Sequence, residues 1–364
     1  MNFACCFPLN SVSFGQVSIA ILRNIYRRGL APCIFPIGNV DLTAQKPDNE
    51  FFSWLQSCLN KSVKLHNRKN PSLKLWHLNG MLDSFSEQQV GITFLETDQI
   101  SEVELNVIKN QKTLFVTSNY TRDIMENYGA YNVKYLPLGF DKDNFYKTNK
   151  TYLDSDVICW SIWGKAEPVR KRHEKIIRAW VKKYGNNKNH MLHLNIYNCF
   201  ISPEDNNKLL NNMLDGKRYW NINPLPYMKT NAEYNDSINS SNIVIGLSGG
   251  EGRDLPIFHS VALGKHCLGL KAHAYLDYLD EENAVLINPS SKIRAVDGMF
   301  FHENSPWNTG NFFDWNENEF LDKCDIVLER YKNNPINEKG LELQKITYDL
   351  TVDILLKELE SKTN

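Results

Sequence analysis

A glycine-rich turn that carries one carboxylate is the first segment of this sequence with a pattern suited to chemistry. Residues 248–270 read SGGEGRDLPIFHSVALGKHCLGL and continue the apolar run NIVIGLS. The pattern predicts a strand, a turn at residues 249–252 and a helix from about Leu255. Glycines in such a turn let backbone N–H groups approach a ligand closely, and the start of the helix favours an anion. The carboxylate of Glu251 can accept hydrogen bonds from sugar hydroxyl groups.

A second segment concentrates positive charge at the expected start of a helix. Residues 163–180 read WGKAEPVRKRHEKIIRAW and follow the apolar run VICWSI. Five cations lie close together there, namely Lys165, Arg170, Lys171, Arg172 and Lys175. Fixed positive charge can stabilise the charge that develops on a diphosphate leaving group without a metal ion. The alternative is a solvated basic helix start, although cations at a helix N-terminus oppose the helix dipole.

Further polar residues follow other predicted strands. Glu96 ends the run VGITFL, and Gly15 and Gln16 lie in the loop after the first strand. His77 and Asn79 follow the run SLKLW. These residues either line a ligand cleft or have an ordinary role at the end of a strand. In the ordinary reading Glu96 is an exposed carboxylate, Gly15 is a glycine of a βα turn and His77 is a hydrogen-bonded histidine.

The sequence predicts no metal site. The D-x-D strings at residues 141–143 and 154–156 lack the strand context in which such a pair holds a metal ion on a diphosphate. The eight cysteines are scattered, and no C-x-x-C pair or Cys/His cluster indicates zinc. A chain of this size has no need of a disulfide framework, so we expect reduced cysteines in a cytoplasmic protein.

The elements that must position these residues alternate along the chain. Short apolar runs such as PCIFPI, TLFVTS and VKYLPL alternate with helical stretches such as EVELNVIKN and TRDIMENYG. This alternation is the βαβ rhythm of a parallel sheet. A polar stretch at residues 141–156 reads as a linker, and a second strand–helix series follows it. Two Rossmann-like halves imply a ligand in the cleft between them, at the carboxyl ends of the strands.

The length of 364 residues suits two α/β domains. We assign residues 1–150 to the first domain with its linker and residues 151–340 to the second. Residues 341–364 are expected to form a terminal helix that packs back on the first domain. No apolar stretch approaches 18 residues, and no basic segment precedes a long apolar run, so we predict neither a membrane span nor a secretory signal.

The charge is balanced overall and uneven locally. The net charge of −1 argues against a protein that simply coats nucleic acid. Residues 1–90 hold nine Lys or Arg against five Asp or Glu, an excess of four positive charges. This basic first half either faces an anionic acceptor or is a solvated surface.

Taken together, the segments resemble retaining GT-B glycosyltransferases, particularly family 4, over roughly residues 3–290. The donor signature of that family reads G-G-E-G-x-G-L-P-x-x-E-A-M-A-x-G. The matching positions are Gly249, Gly250, Glu251, Gly252, Leu255, Pro256, Ala262 and Gly264. Asp254 replaces the third glycine, and His259 replaces the second glutamate. Lys165 and Lys171 match the family's G-R-x-x-x-x-x-K pattern, with lysine in place of arginine. Residues 96–98, 116–122 and 137–141 resemble its E-T-D, V-x-S-x-x-T-R and P-x-G-x-D strings.

The resemblance implies a fold and a set of roles. It implies an α/β GT-B protein whose two Rossmann-like domains have parallel sheets facing a central cleft. Glu251 would hold sugar hydroxyls, and Glu96 would lie at the sugar or acceptor, as a base or as an exposed carboxylate. His259 stands where a glutamate grips the ribose, which leaves the identity of the nucleotide open. The donor-binding residues that it implies are Gly15, Gln16, Lys165, Arg170, Lys171, Gly249, Gly250, Gly252, Arg253 and His259.

The implied reaction is a metal-independent, retaining transfer from a nucleoside-diphosphate sugar, with a UDP-sugar as co-substrate and no other cofactor. The acceptor expected is a glycan or a lipid-linked glycan. Alternatives are a modified base in DNA, as in phage enzymes, or a small molecule. A catalytically silent sugar-nucleotide-binding protein of the same fold is a further alternative. The basic first half would contact an anionic membrane surface or DNA phosphates. The expected location is cytoplasmic, including the inner membrane face, or the host cytoplasm for a phage enzyme.

Overall fold

The first half is a parallel sheet covered by helices. The computed structural model describes residues 2–151 and 156–362. The first six strands are β1 (Ala4–Phe7), β2 (Cys33–Pro36), β3 (Ser72–Leu75), β4 (Gln89–Thr93), β5 (Thr113–Val116) and β6 (Val133–Tyr135). They pair in parallel in the order β2-β1-β3-β4-β5-β6. The helices between them are α1 (Ser13–Arg27), α2 (Asn49–Leu65), α3 (Glu102–Lys109) and α4 (Asn119–Asn127).

The second half repeats this architecture. Its strands are β7 (Ile158–Trp163), β8 (His190–Asn195), β9 (Ile222–Pro224), β10 (Ile243–Gly246), β11 (His266–Leu270) and β12 (Val285–Ile287). They also pair in parallel, in the order β12-β11-β10-β7-β8-β9. The helices are α5 (His173–Tyr184), α6 (Pro203–Met213), α7 (Asn231–Ser240), α8 (Leu255–Ala262), α9 (Glu317–Asn333) and α10 (Glu338–Leu341). The two sheets are those of two Rossmann-like domains, as the sequence predicts.

The last helix, α11 (Tyr348–Glu360), packs against the first half. Its buried Val352, Leu355 and Leu359 share one apolar core with residues of β1 and β3. The predicted helix over the tail is interrupted, because a 3₁₀ turn precedes α11 and Thr347 caps its first turn. The expected linker at residues 141–156 and the second D-x-D string lie partly outside the described residues.

One element is absent from the sequence predictions. After β12 the chain forms an antiparallel hairpin of β13 (Pro289–Arg294) and β14 (Asn311–Trp315), joined by a long loop. The hairpin reaches the first half, where Asp98 accepts hydrogen bonds from Asn311 and pairs with Lys292 at 2.8 Å. Hereafter residues 289–315 are called the flap.

Burial holds several histidines of the second half in the neutral form. Desolvation lowers the pKa of His173 and His259 to about 3. It lowers the pKa of His190, His193 and His273 to about 4. The unfolded chain, with ordinary histidine pKa values near 6.5, therefore binds protons that the fold excludes between about pH 6.5 and 4. We expect the free energy of unfolding to fall as the pH is lowered through this window.

Raised carboxyl pKa values, such as that of Asp254, make the free energy of unfolding rise as the pH is lowered, which opposes the effect of the histidines. Substitution of one histidine therefore isolates the histidine contribution. Each such histidine changes the free energy of unfolding by up to about 1.4 kcal/mol per pH unit. His193→Leu should lower the pH slope by up to that amount, measured by urea unfolding at several pH values. His302→Gln, at an exposed position, is the control. An unchanged slope in His193→Leu would contradict the prediction.

Candidate active site

A cleft of about 720 Å³ lies between the two halves. Its walls are formed by segments that follow strands β1, β3 and β4 of the first half and β7, β8 and β10 of the second. The carboxyl ends of both sheets therefore face the same space, which is where ligands bind in parallel α/β sheets. The volume suits a small-molecule ligand.

Arg170 is the centre of a buried charge cluster in this cleft. Its Nε and Nη2 donate to the two carboxylate oxygens of Glu167, both at 2.7 Å. Its Nη1 lies 3.1 Å from Glu251 Oε1 and 3.5 Å from Glu96 Oε1. Glu96 comes from the first half, whereas Glu167 and Glu251 come from the second. One guanidinium thus joins carboxylates of both halves at the floor of the cleft.

Lys171 completes the pairing of Glu251. Its Nζ lies 2.6 Å from Glu251 Oε1 and 4.0 Å from Asp254. Burial would raise the pKa of Glu251, but Lys171 and Arg170 hold that pKa at about 2. Burial would likewise lower the pKa of Lys171, but Glu251 and Asp254 raise it. Glu251 is therefore an ionised hydrogen-bond acceptor at neutral pH and is unsuited to proton transfer.

The five cations predicted together divide into two groups. Lys165, Arg170 and Lys171 line the cleft. Arg172 and Lys175 instead pair with Asp314 of the flap, both at 2.8 Å. The sequence spacing could not separate these groups, because residues 170–172 are consecutive and a backbone of positive φ at Arg172 turns its side chain elsewhere.

Lys165 lies where the flap closes over the cleft. Its ammonium lies 3.2 Å from Glu167 and 3.7 Å from the centroid of the Phe300 ring. Phe200 provides a second ring at 5.0 Å. The side chain remains about 29% exposed, the most accessible of the three cleft cations. This cation is therefore available to an anionic ligand without unfolding of its surroundings.

The glycine turn at residues 249–252 allows close contact between the two halves. A Cβ on Gly250 would lie 1.9 Å from the carbonyl oxygen of Glu96, and one on Gly252 would lie 2.7 Å from Phe94. A Cβ on Gly249 would lie 2.5 Å from the carbonyl oxygen of Phe313 in the flap. The sequence predicts that these glycines let a ligand approach, and the structure shows that they also allow close packing against the first half and the flap. Within the described parts of the chain, the N–H groups of residues 250 and 251 donate to no protein acceptor.

Asp254 departs from the glycine of the family signature for a local reason. Its backbone has φ of 54°, in the left-handed region that glycine, asparagine and aspartate adopt most readily. Its carboxylate accepts from Ile257 N at the start of α8, and from the Tyr275 hydroxyl at 2.6 Å. The aspartate thus keeps the turn and caps the helix that follows.

His259 lines the cleft, but both of its ring nitrogens are committed to the protein. Nδ1 donates to the Leu255 carbonyl at 2.7 Å, and Nε2 accepts from Asp141 N at 3.3 Å. The ring stacks on Phe145 at a centroid distance of 4.1 Å. The contact with a ribose that the resemblance implies would require one of these hydrogen bonds to break.

Three other residues predicted to bind the donor, Arg253, Gln16 and Gly15, make contacts with other parts of the protein. Arg253 donates to the Leu138 carbonyl at 2.9 Å, with its guanidinium over the rings of Phe258 and Tyr278. The amide of Gln16 exchanges hydrogen bonds of 3.0 Å with Asn231. Each pair joins one half of the protein to the other.

Gly15 is the third. A Cβ there would lie 2.2 Å from the Asn10 carbonyl oxygen, so this glycine allows the first turn of α1 to pack against its own loop.

An aromatic wall on the first half is largely missing from the sequence predictions. Phe14, Trp76, His77 and Phe94 line the cleft, and the ring of Phe14 contacts the other three. His77 and Asn79 do line the cleft, which was one of their two predicted alternatives. The position of His77 two residues after the end of β3 was the available signal.

The chain has the GT-B fold, defined by two Rossmann-like domains with their strand ends facing one cleft. Its structure is similar to sucrose-phosphate synthase from Thermosynechococcus elongatus, with a TM-score of 0.70, 12% identity and 99% of each chain covered. It is also similar to the Anabaena protein HepE in complex with UDP-glucose, with a TM-score of 0.67, 13% identity and coverage of 99% of this chain and 100% of that chain. A third similar structure is a UDP-forming trehalose-phosphate synthase from Burkholderia xenovorans, with a TM-score of 0.65, 10% identity and coverage of 100% of this chain and 99% of that chain.

No family model and no curated protein sequence matches the chain. Over the part of the chain that the structure describes, no helix combines the length and apolar character needed to cross a bilayer.

Proposed function

We propose that this protein is a retaining glycosyltransferase that moves a sugar from a nucleoside-diphosphate sugar, a UDP-sugar, to a glycan or lipid-linked glycan in the cytoplasm. The observation that carries the proposal is the cluster of Arg170, Lys171 and Glu251 at the junction of the two halves. The fold supports it, since similar structures include glycosyltransferases and one of them holds UDP-glucose.

In the proposed reaction the donor diphosphate lies against Lys165 and Lys171 and against the open N–H groups of the glycine turn. These cations stabilise the charge that forms on the leaving diphosphate, and the reaction needs no metal ion. Glu251 accepts hydrogen bonds from the sugar hydroxyls. The acceptor hydroxyl approaches from the aromatic wall and Glu96. Its oxygen bonds to the anomeric carbon on the face from which the diphosphate leaves, the bond between that carbon and the diphosphate oxygen breaks, and the hydroxyl proton passes to Glu96 or to the leaving diphosphate.

In this proposal the donor diphosphate competes with carboxylates for the cations of the cleft. Each cleft cation already pairs with a carboxylate, at 3.2 Å for Lys165 and 2.6 Å for Lys171. An arriving diphosphate replaces the carboxylate at a cation and thereby releases Glu251 toward the sugar. Donor binding and the placement of Glu251 are therefore coupled in this proposal.

The test is a turnover assay with a panel of UDP-, GDP- and ADP-sugars, with and without EDTA, followed by NMR of the anomeric proton of the product. We expect release of one nucleoside diphosphate, indifference to EDTA and a product with the configuration of the donor. Inversion or loss of activity with EDTA would contradict the mechanism. Binding without any hydrolysis or transfer would favour the catalytically silent protein, and transfer to modified DNA would favour the phage-type enzyme.

A further inference from the structure

The excess positive charge of the first 90 residues is not spread evenly in the structure. Four of its nine cations are neutralised or buried. Arg23 and Lys74 are buried, the first 3.7 Å from Asp48 and the second donating to two backbone carbonyls. Arg27 pairs with Asp143, and Arg28 pairs with Asp353. The basic character of the first half therefore rests on the cations that remain.

Three of the remaining cations lie together at one end of the first half. Lys64, Arg68 and Lys69 are exposed, and none has a carboxylate within 4.0 Å in the described parts of the chain. Lys64 is in the last turn of α2, and the other two lie in the loop that follows. Lys61, one turn earlier on α2, donates to the Ala31 carbonyl. With Lys61 this region holds four cations, and the neighbouring loop carries two carboxylates, Asp83 and Glu87. The local balance remains positive.

Large apolar side chains alternate with these cations. Val63 is 89% exposed, Leu65 is 67% exposed and Phe85 is 54% exposed. The core-facing positions of α2 are instead Phe51, Leu55, Cys58 and Ser62. Val63 and Leu65 thus belong to the solvent side of the helix, where the fold itself makes no use of them.

Backbone and ring contacts join the two loops into one surface. His66 Nε2 hydrogen-bonds to the Phe85 carbonyl at 2.8 Å, and Glu87 N donates to the Arg68 carbonyl at 2.9 Å. The ring of Phe85 stacks on Phe35 of β2 at 4.2 Å, which holds its outer face toward solvent. We name this surface the basal patch, defined by Val63, Lys64, Leu65, Arg68, Lys69 and Phe85.

The basal patch lies opposite the cleft. The loops at residues 66–71 and 82–88 precede β3 and β4, so they lie at the amino ends of strands whose carboxyl ends face the cleft. None of the basal-patch residues lines the cleft, so the patch is a binding surface separate from the place where an acceptor enters. This position and the exposed apolar side chains favour a flat partner that takes up both charge and apolar groups.

We infer that the basal patch binds the protein to an anionic lipid surface. Lys64, Arg68 and Lys69 would meet the phosphate groups, while Val63, Leu65 and Phe85 enter the boundary between headgroups and acyl chains. Apolar burial together with basic attraction is the combination that holds peripheral proteins on anionic membranes. The inference does not depend on the proposed transfer reaction, because it concerns a surface remote from the cleft.

The test is sedimentation of the full chain with vesicles of phosphatidylcholine alone or mixed with phosphatidylglycerol. Each basic residue near such a surface strengthens binding roughly five-fold. The variant Lys64→Glu/Arg68→Glu/Lys69→Glu should therefore bind mixed vesicles at least about 100-fold more weakly. Val63→Ser/Leu65→Ser/Phe85→Ser should also weaken binding, and its effect should persist at high salt. Lys188→Glu/Lys217→Glu/Arg218→Glu, at exposed positions of the second half, should bind as the parent does.

Several results would overturn the inference. One is equal binding to both kinds of vesicle, and another is an equal loss in the second-half control. Absence of vesicle binding would also overturn it, whether the patch then proves to hold a second copy of the chain in sedimentation equilibrium or to bind duplex DNA in titration. Turnover of soluble substrates should be unchanged in the charge variant, so failure here and failure of the proposed function are distinguishable.

Discussion

Replacing Arg170 by methionine is expected to lower the free energy of unfolding by about 3–5 kcal/mol. The guanidinium is only 4% exposed, and the Glu167 carboxylate that it grips is fully buried. Methionine fills similar space but leaves that carboxylate with Lys165 alone, at 3.2 Å. A buried charge that has lost its main partner is strongly destabilising, whereas the intact pair itself contributes little.

The neighbouring arginine supplies the control. Arg172 pairs with Asp314 at 2.8 Å, and its side chain is 17% exposed. Asp314 keeps Lys175 as a second partner at 2.8 Å. Arg172→Met should therefore cost about 1 kcal/mol or less, because a more accessible and doubly paired carboxylate stays solvated. Urea unfolding at neutral pH measures both variants, and equal losses would contradict the role given to Arg170.

Replacing Glu251 by glutamine is expected to lower kcat by roughly two orders of magnitude, a typical loss for one positioned polar group in an active site. Glutamine keeps the shape but loses the charge that pairs with Lys171 at 2.6 Å. Because the pKa of Glu251 is about 2, the carboxylate stays ionised throughout the working range. The pH–rate profile above about pH 5 should therefore contain no inflection from Glu251.

A matched control distinguishes the loss of the Glu251 carboxylate from the loss of a paired negative charge elsewhere in the protein. Burial would also raise the pKa of Glu358, but Lys134 and Thr113 hold that pKa at about 2. This glutamate lies on α11, away from the residues that line the cleft. Glu358→Gln should lower stability and leave kcat unchanged at a temperature where the protein is folded. Unchanged turnover in Glu251→Gln would remove Glu251 from the site.

The sequence predicted the two-sheet architecture because apolar runs of strand length alternate with helical periodicity in both halves. The same runs located the cleft, since polar residues that follow β4, β7 and β10 meet at the carboxyl ends of parallel strands. The prediction also brought Lys165, Lys171 and Glu251 into one site, where the structure places them. Their roles toward a donor stay predictions.

Other features depend on contacts that no local pattern records. Arg170 and Arg172 have different partners, because the backbone turns between them and one side chain faces Glu167 while the other faces the flap. Gln16 and Arg253, which are predicted to bind the donor, line the cleft, and their hydrogen bonds also join the two halves, which no sequence pattern indicates. The flap follows β12 without helical or strand-like regularity over most of its loop. Its course depends on tertiary contacts, such as those of Asn311 with Asp98 and of Asp314 with Arg172.

Thermal unfolding with and without UDP measures whether the cleft cations bind a diphosphate. A ligand at about one hundred times its dissociation constant stabilises the folded state by about 2.7 kcal/mol. We expect such a stabilisation for the parent chain, with or without EDTA, and a much smaller one for Lys165→Ala. The Lys165 side chain is partly exposed, and Glu167 keeps Arg170 as a partner when it is removed. An equal stabilisation of both proteins would show that Lys165 does not bind the diphosphate, and no stabilisation by UDP, GDP or ADP would show that the cleft is not a nucleoside-diphosphate site.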